Sequence, residues 1–209
     1  SDRVQSIGDR RVRVLRRPHE GLVSALQHGL AACQGQWIAR LDADDIAAPE
    51  RLEMQLPLLM ADDRLAVVDG RVRFFRDNGP VPGGMEKYAA WINDVCTPDA
   101  FDRELLIESP IVHPAATMRA SAVKEIGGYR AGPFPEDYDL WLRLHTAGWR
   151  FRNVPHQLVA MRDRPERLTR TDARYSTAAF DRARRTWLTS GPLGTQRRVA
   201  VWGAGRTGK

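Results

Sequence analysis

Apolar residues fall in short runs separated by turn formers, and their spacing switches between two periods. After eleven mostly polar residues, Val12-Arg13-Val14-Leu15 predicts a short strand. Between Gly21 and Cys33, residues Leu22, Leu26, Gly29 and Leu30 recur at helical spacing, and Gly35 ends that helix. Gln36 to Leu41 predicts the next strand. A strand–helix–strand unit of this kind builds a parallel sheet with a crossover helix. Pro49 and Glu50 suit the first turn of a helix that continues through Leu52, Leu56 and Leu59. Leu65 to Val68 predicts a strand that Arg71 to Phe75 extend, and Asp77 to Gly84 is dense in turn formers.

Two short helices, Glu86 to Val95 and Pro98 to Ile107, flank a break at Thr97-Pro98. Ile111 to Met118 predicts a strand interrupted by His113-Pro114. Ser121 is a candidate cap for a short helix that Gly127-Gly128 terminates. Glu136-Asp137-Tyr138-Asp139 enters a helix through Leu140, Trp141 and Leu144, and Gly148 stops it. Phe151 to Met161 is extended, and Thr171 to Leu188 predicts an Arg-rich amphipathic helix. Arg198 to Lys209 reads as a strand running into Gly-x-Gly-x-x-Gly, a spacing that opens a dinucleotide-binding unit when a helix and an acid follow. The expected organisation is one α/β domain over residues 1–190, then a linker and the first strand and Gly-rich turn of a second domain over 191–209.

The chain has 209 residues, of which 43% are hydrophobic and 28% charged, enough for a substantial core. No apolar run has the length of a membrane span, and the first residues lack the features of a signal peptide. Cys33 and Cys96 give neither a disulfide framework nor a CxxC metal pair, so a reducing cytosol is the expected compartment. The net charge of +6 comes from 29 Arg and only three Lys. Acids are interspersed with the late arginines and no aromatic platform interleaves them. A solvated helix face is therefore expected rather than a nucleic-acid surface, with peripheral membrane contact as the second reading.

One stretch concentrates candidate chemistry. In Trp37-Ile38-Ala39-Arg40-Leu41-Asp42-Ala43-Asp44-Asp45, an apolar run ends in three carboxylates. Strand alternation would put Arg40, Asp42 and Asp44 on one face, with Asp45 turned away to support the following turn. Unpaired carboxylates are costly away from water, so the run belongs at a strand end opening on a crevice. There Asp42 and Asp44 offer hard oxygens to Mg²⁺ or Mn²⁺ against a phosphorylated ligand. A solvated strand-end turn, where Asp is common, explains the triplet alone equally well.

A second acidic group, Glu136 and Asp137 with Asp139, lies at a helix start. Asp is a common cap there, but three acids exceed what capping needs, and Gly132-Pro133-Phe134-Pro135 fixes the approach. The pair of clusters suggests one that holds a metal on a leaving phosphate and one that deprotonates a nucleophile.

Taken in order, Gly21 to Gly35, Ile38 to Asp45, Pro49-Glu50-Arg51-Leu52, His113-Pro114, Gly127-Gly128-Tyr129 and Glu136 to Leu144 resemble the family 2 glycosyltransferases of the GT-A fold. The resemblance covers residues 12 to about 170. It implies a mostly parallel sheet flanked by helices, and an inverting transfer from a nucleotide-diphospho-sugar to a hydroxyl of a saccharide or lipid-linked acceptor. It matches Asp42 to the Asp near the nucleotide ribose and metal, Asp44 to the metal ligand of the DxD motif, and Asp137 to the general base, with Glu136 beside it. Arg40 and Asp45 fall on the same donor side. His113 and Trp141 are candidate acceptor contacts, although His beside Pro is often structural and Trp141, spaced with Leu144, suits a core.

Three departures stand against the family pattern. The expected N-terminal apolar strand and nucleotide-binding segment would precede residue 1, leaving the first strand missing here. Gln27 and His28 replace a common Asn-x-Gly pattern. Arg164 stands where many members carry a His near the diphosphate, and it can neutralise phosphate without binding metal. The implied setting is bacterial cell-surface polysaccharide synthesis, in the cytoplasm or at the inner face of its membrane. The alternative is a non-catalytic module that binds a nucleotide or polyanion.

Overall fold

The computed structural model describes residue 4, residues 7–191, and residues 193, 194 and 198. Helix α1 (Leu22–Ala32) leads to strand β1 (Trp37–Ala39), then β2 (Ile46–Ala47), α2 (Arg51–Ala61) and β3 (Leu65–Phe75). Helices α3 (Gly83–Asp94) and α4 (Pro98–Glu104) follow, then a 3-10 turn (His113–Ala115), β4 (Thr117–Arg119) and α5 (Ala120–Glu125). Helix α6 (Glu136–Thr146) returns the chain to β5 (Arg150–Arg162). After it come α7 (Leu168–Thr171), a 3-10 turn (Ala173–Tyr175) and α8 (Thr177–Ser190).

The chain is α/β, as its pattern predicts, and the sheet is mixed. Strand order is β1-β4-β3-β5-β2. The expected parallel arrangement is confined to the long central pairing of β3 with β5, from Leu65 beside Arg150 to Phe75 beside Arg162. The shorter pairings β1–β4, β3–β4 and β2–β5 are antiparallel. Strand β3 is apolar on both sides because both are covered. Val67 packs with Phe101, Val123, Trp141 and Trp187 from the helices on one face. Val68 packs with Leu59 and Leu158 on the other. Towards the carboxyl end, Val72 and Phe74 pack with Ile92, Val159 and Met161.

Several expected elements differ. Val12 to Leu15 forms no strand: Val12, Val14 and Leu15 are 39%, 40% and 49% exposed. No strand among the described residues lies beside them to complete the ladder. The N-terminal unit is therefore helix–strand. Ser121 lies inside α5 and caps nothing, because the first N–H of that helix, at Ala120, donates to the Gln36 carbonyl at 2.9 Å. The helix expected from Thr171 is broken: Asp172 accepts from the Arg174 N–H and bends the chain, and Ser176 caps α8 through the Ala179 N–H. The Gly-rich segment 203–208 and nearly all of 191–209 lie outside the described residues.

A buried polar network fixes the segment between α4 and β4. Arg51 donates to the carbonyls of Pro114 and Ala116, both at 3.0 Å. Gln55 donates to Val68 and Ala115 at 2.9 and 2.8 Å. Asp69 accepts from the Val112 N–H at 2.7 Å, and burial pushes its carboxyl up to about 7. These bonds tie the segment to α2 and β3 through backbone carbonyls and one backbone N–H.

Candidate active site

At the carboxyl ends of β3 and β5 lies a cleft of about 560 Å³, where ligands bind in sheets of this kind. Both acidic clusters line it. Asp42, Asp44 and Asp45 come from the turn after β1, and Glu136 and Asp137 from the first turn of α6.

Strand β1 ends at Ala39, two residues sooner than expected. The Asp45 N–H donates to the Asp42 carbonyl at 3.2 Å, so the three acids sit on a turn rather than alternating along a strand. Asp42 pairs with Arg40, and Asp44 Oδ2 lies 3.4 Å from Arg164 Nε. The two carboxylates are 38% and 37% exposed, open to a ligand from the cleft. Asp45 has another task. Its Oδ1 accepts from the Arg162 N–H at 2.9 Å, and its Oδ2 is buried without a partner among the described residues. Burial raises its pKa, and the Asp42 and Asp44 charges add to the rise.

Among the described residues no group of three His, Cys, Asp or Glu is arranged to hold a metal. Asp42 and Asp44 still fit Mg²⁺ or Mn²⁺ chemically. Mg²⁺ is commonly held by one or two carboxylates, with water and substrate phosphates completing its shell.

On the opposite wall, Glu136 is buried and accepts from the Tyr175 hydroxyl through both oxygens, at 3.0 and 2.8 Å. Asp137 Oδ1 accepts from the Tyr138 N–H at 2.7 Å, and its carboxyl faces the cleft half-buried. Burial raises the Asp137 pKa, and the Glu136 charge raises it further. Backbone hydrogen bonds and the Arg40 charge oppose the rise without cancelling it. Arg40 thus pairs with one cluster and offsets the other. Asp139 belongs to neither: it is buried between Arg130 at 2.5 Å and Arg143 at 2.8 Å, which accounts for the third acid of the motif.

His113 lines the cleft with its ring nearly buried. Its Nε2 is 2.7 Å from the Tyr129 hydroxyl, and burial, then the Arg40 charge, lowers its pKa well below the usual range. Trp141 departs from expectation. It is fully buried with its ring edge-on to His113 at 5.6 Å and does not line the cleft, because its stripe on α6 faces the core. Its indole belongs to the core.

Arg164 is exposed and lies outside the cleft lining. Sequence reasoning passed over three of its neighbours. Arg162 pairs with Asp77 and donates to the Asp44 carbonyl. Arg170 pairs with Asp163 at 2.6 Å. Arg167 lines the cleft over the Phe74 ring at 5.5 Å with its Nη1 buried and unbonded. Among the described residues Arg167 makes no ion pair. The density of Arg in this segment was visible in the sequence, but that Arg162, Arg167 and Arg170 line the cleft while Arg164 does not is decided by the fold.

The fold is α/β, and two acidic clusters line one cleft. The model of glycosyl transferase family 2 matches residues 2–127, and the chain belongs to that family. It is 30% identical over 142 residues to the amylovoran biosynthesis glycosyltransferase AmsE of Erwinia amylovora, covering 68% of this chain and 50% of that protein. It is also 30% identical to the UDP-Gal:alpha-D-GlcNAc-diphosphoundecaprenol beta-1,3-galactosyltransferase of Escherichia coli, covering 68% and 49%. A solved structure of the mannosyltransferase PcManGT from Pyrobaculum calidifontis, in complex with GDP-Man and Mn²⁺, superposes with a TM-score of 0.49 at 16% identity, over 70% of this chain and 38% of that one. The chain spans about half the length of the curated relatives it matches. No helix among the described residues is long and apolar enough to cross a membrane.

Proposed function

We propose that this chain carries the catalytic cleft of an inverting glycosyltransferase of the GT-A type. It would move a sugar from a nucleotide-diphospho-sugar to a hydroxyl of a saccharide or lipid-linked acceptor. The observation that carries the reading is the placement of Asp42 and Asp44 across one cleft from Asp137, whose raised pKa suits a base working near neutral pH.

In this reading the Asp137 carboxylate takes the acceptor hydroxyl proton. The acceptor oxygen attacks the anomeric carbon from the face opposite the diphosphate, and the bond from that carbon to the diphosphate oxygen breaks. The electron pair leaves with the nucleoside diphosphate, so one displacement inverts the centre. Asp44 and Asp42 would hold Mg²⁺ or Mn²⁺, which would supply compensation for charge on the departing diphosphate. Arg40 holds Asp42 in place, Asp45 anchors the turn, and Arg164 and Arg167 offer cations at the phosphate end. His113, neutral and fixed by Tyr129, forms the floor towards the acceptor.

Relatives named for amylovoran and for diphosphoundecaprenol-linked sugars support a role in bacterial surface polysaccharide synthesis, at the cytoplasmic face of the membrane. The second domain proposed to begin near residue 198 would follow this cleft. Hydrolysis of GDP-mannose and UDP-galactose with Mn²⁺ by the full-length protein tests the reading. Turnover that survives Asp137→Asn unchanged would remove Asp137 as the base, and binding of either compound without turnover would leave a binding module.

A further inference from the structure

The Tyr175 hydroxyl donates to both oxygens of Glu136, at 3.0 and 2.8 Å. Glu136 is 3% exposed, and the Tyr175 hydroxyl is its one hydrogen-bond partner among the described residues. A buried carboxylate without a hydrogen-bond donor is costly, so this hydroxyl compensates Glu136 for the water it has lost. The bond spans the cleft wall: Tyr175 arrives on the segment that Asp172 bends inward, and Glu136 is the immediate neighbour of Asp137.

We propose that Tyr175 is a positioning residue for the base: its hydroxyl, bound to both oxygens of Glu136, fixes that carboxyl in place beside Asp137 and so fixes the surroundings in which Asp137 works. The inference rests on the reading of Asp137 as the base.

The charges around the pair are few. Arg40 faces Asp137 from the turn after β1. Arg174, paired with Asp172 at 2.7 Å, faces Glu136 from the 3-10 turn. Tyr129, Tyr88 and Tyr175 feel the charge of one or both acids, and burial keeps all three hydroxyls protonated. His113 lines the same cleft as a neutral ring. Arg40 therefore faces Asp137 while Tyr175 serves Glu136, so the two adjoining acids have different partners. Without the hydroxyl, the Glu136 carboxyl loses the bond that fixes it beside Asp137. The part of the Asp137 rise that comes from the Glu136 charge is then smaller.

The test is a ¹³C-carboxyl NMR titration of the full-length protein labelled at aspartate, with the Asp137 signal identified by its loss in Asp137→Asn. In Tyr175→Phe its midpoint is expected to fall by about one pH unit, and the rising limb of the rate against pH to fall with it. An unmoved midpoint in a folded Tyr175→Phe protein overturns the inference. If that variant does not fold, Glu136→Gln removes the Glu136 charge. It must also lower the midpoint, and an unmoved midpoint again overturns the inference. Full turnover in Asp137→Asn overturns the base reading. Lost turnover in Asp137→Asn with an unmoved midpoint in Tyr175→Phe overturns this inference alone.

Discussion

The Arg162 N–H donates to Asp45 Oδ1 at 2.9 Å, which fastens the acidic turn after β1 to the end of β5. Asp45 therefore serves as a tie, while Asp42 and Asp44 keep their carboxylates towards the cleft. Its raised pKa means that its charge costs the folded state free energy above that pKa, a cost removed as pH falls through it. Asp45→Asn keeps an acceptor and removes the charge, so its thermal midpoint at pH 7 is expected at or above that of the parent. Asp45→Ala loses the bond and is expected to cost about 1–3 kcal/mol in denaturant unfolding.

Asp137 ties activity to pH in a defined direction. Its pKa is raised, and a base works only when deprotonated, so kcat/KM should fall as pH drops through a limb above the ordinary aspartate value of about 3.9. Asp137→Asn is expected to lower kcat by roughly 10² to 10⁴. The same substitution removes an anion that the fold holds at a cost above its raised pKa, so the variant should melt higher than the parent at pH 8. Steady-state rates and thermal melts across pH check both halves.

The cations at the phosphate end should separate under substitution. Arg164 is exposed and near Asp44, whereas Arg167 lines the cleft without an ion-pair partner among the described residues. Arg167→Gln is expected to weaken GDP or UDP binding at least tenfold by calorimetry, and Arg164→Gln by less than threefold, consistent with small effects at exposed pairs. Equal losses would mean that Arg164 contributes as much to the diphosphate as Arg167 does.

Trp141 gives the opposite kind of result. Removal of a fully buried indole should cost about 3–5 kcal/mol of stability. Trp141→Phe, which keeps an aromatic ring in the core, should leave acceptor KM within about twofold of the parent, since a buried core residue makes no substrate contact. Chemical unfolding and acceptor saturation curves measure the two effects.

The residues that sequence reading found most easily are those whose neighbours in sequence fix them. The stripe of Leu140, Trp141 and Leu144 reads as a helix face, and Gly127, Gly128 and Gly148 adopt the positive φ that ends helices. Asp42, Asp44 and Asp137 stood out because unpaired acids beside apolar runs need a reason. Less legible was anything decided across the sheet. Val12 to Leu15 has strand propensity, but propensity forms no strand where no edge lies beside it. The parallel and antiparallel pairings of β3 depend on strands more than 40 residues apart. Asp139 looked like a third site acid until Arg130 and Arg143 claimed it. Tyr175 carried no signal, since its meeting with Glu136 depends on the bend at Asp172.

The stretch matched to the family model stops at residue 127, ahead of both Asp137 and Tyr175. The acidic turn and the opposite wall are thus encoded on separate lengths of chain that meet only in the folded cleft. A graft made between Gly128 and Pro135 would replace the wall that carries Asp137 and leave the turn of Asp42 and Asp44 untouched, so hybrids between relatives can exchange the two acidic clusters separately.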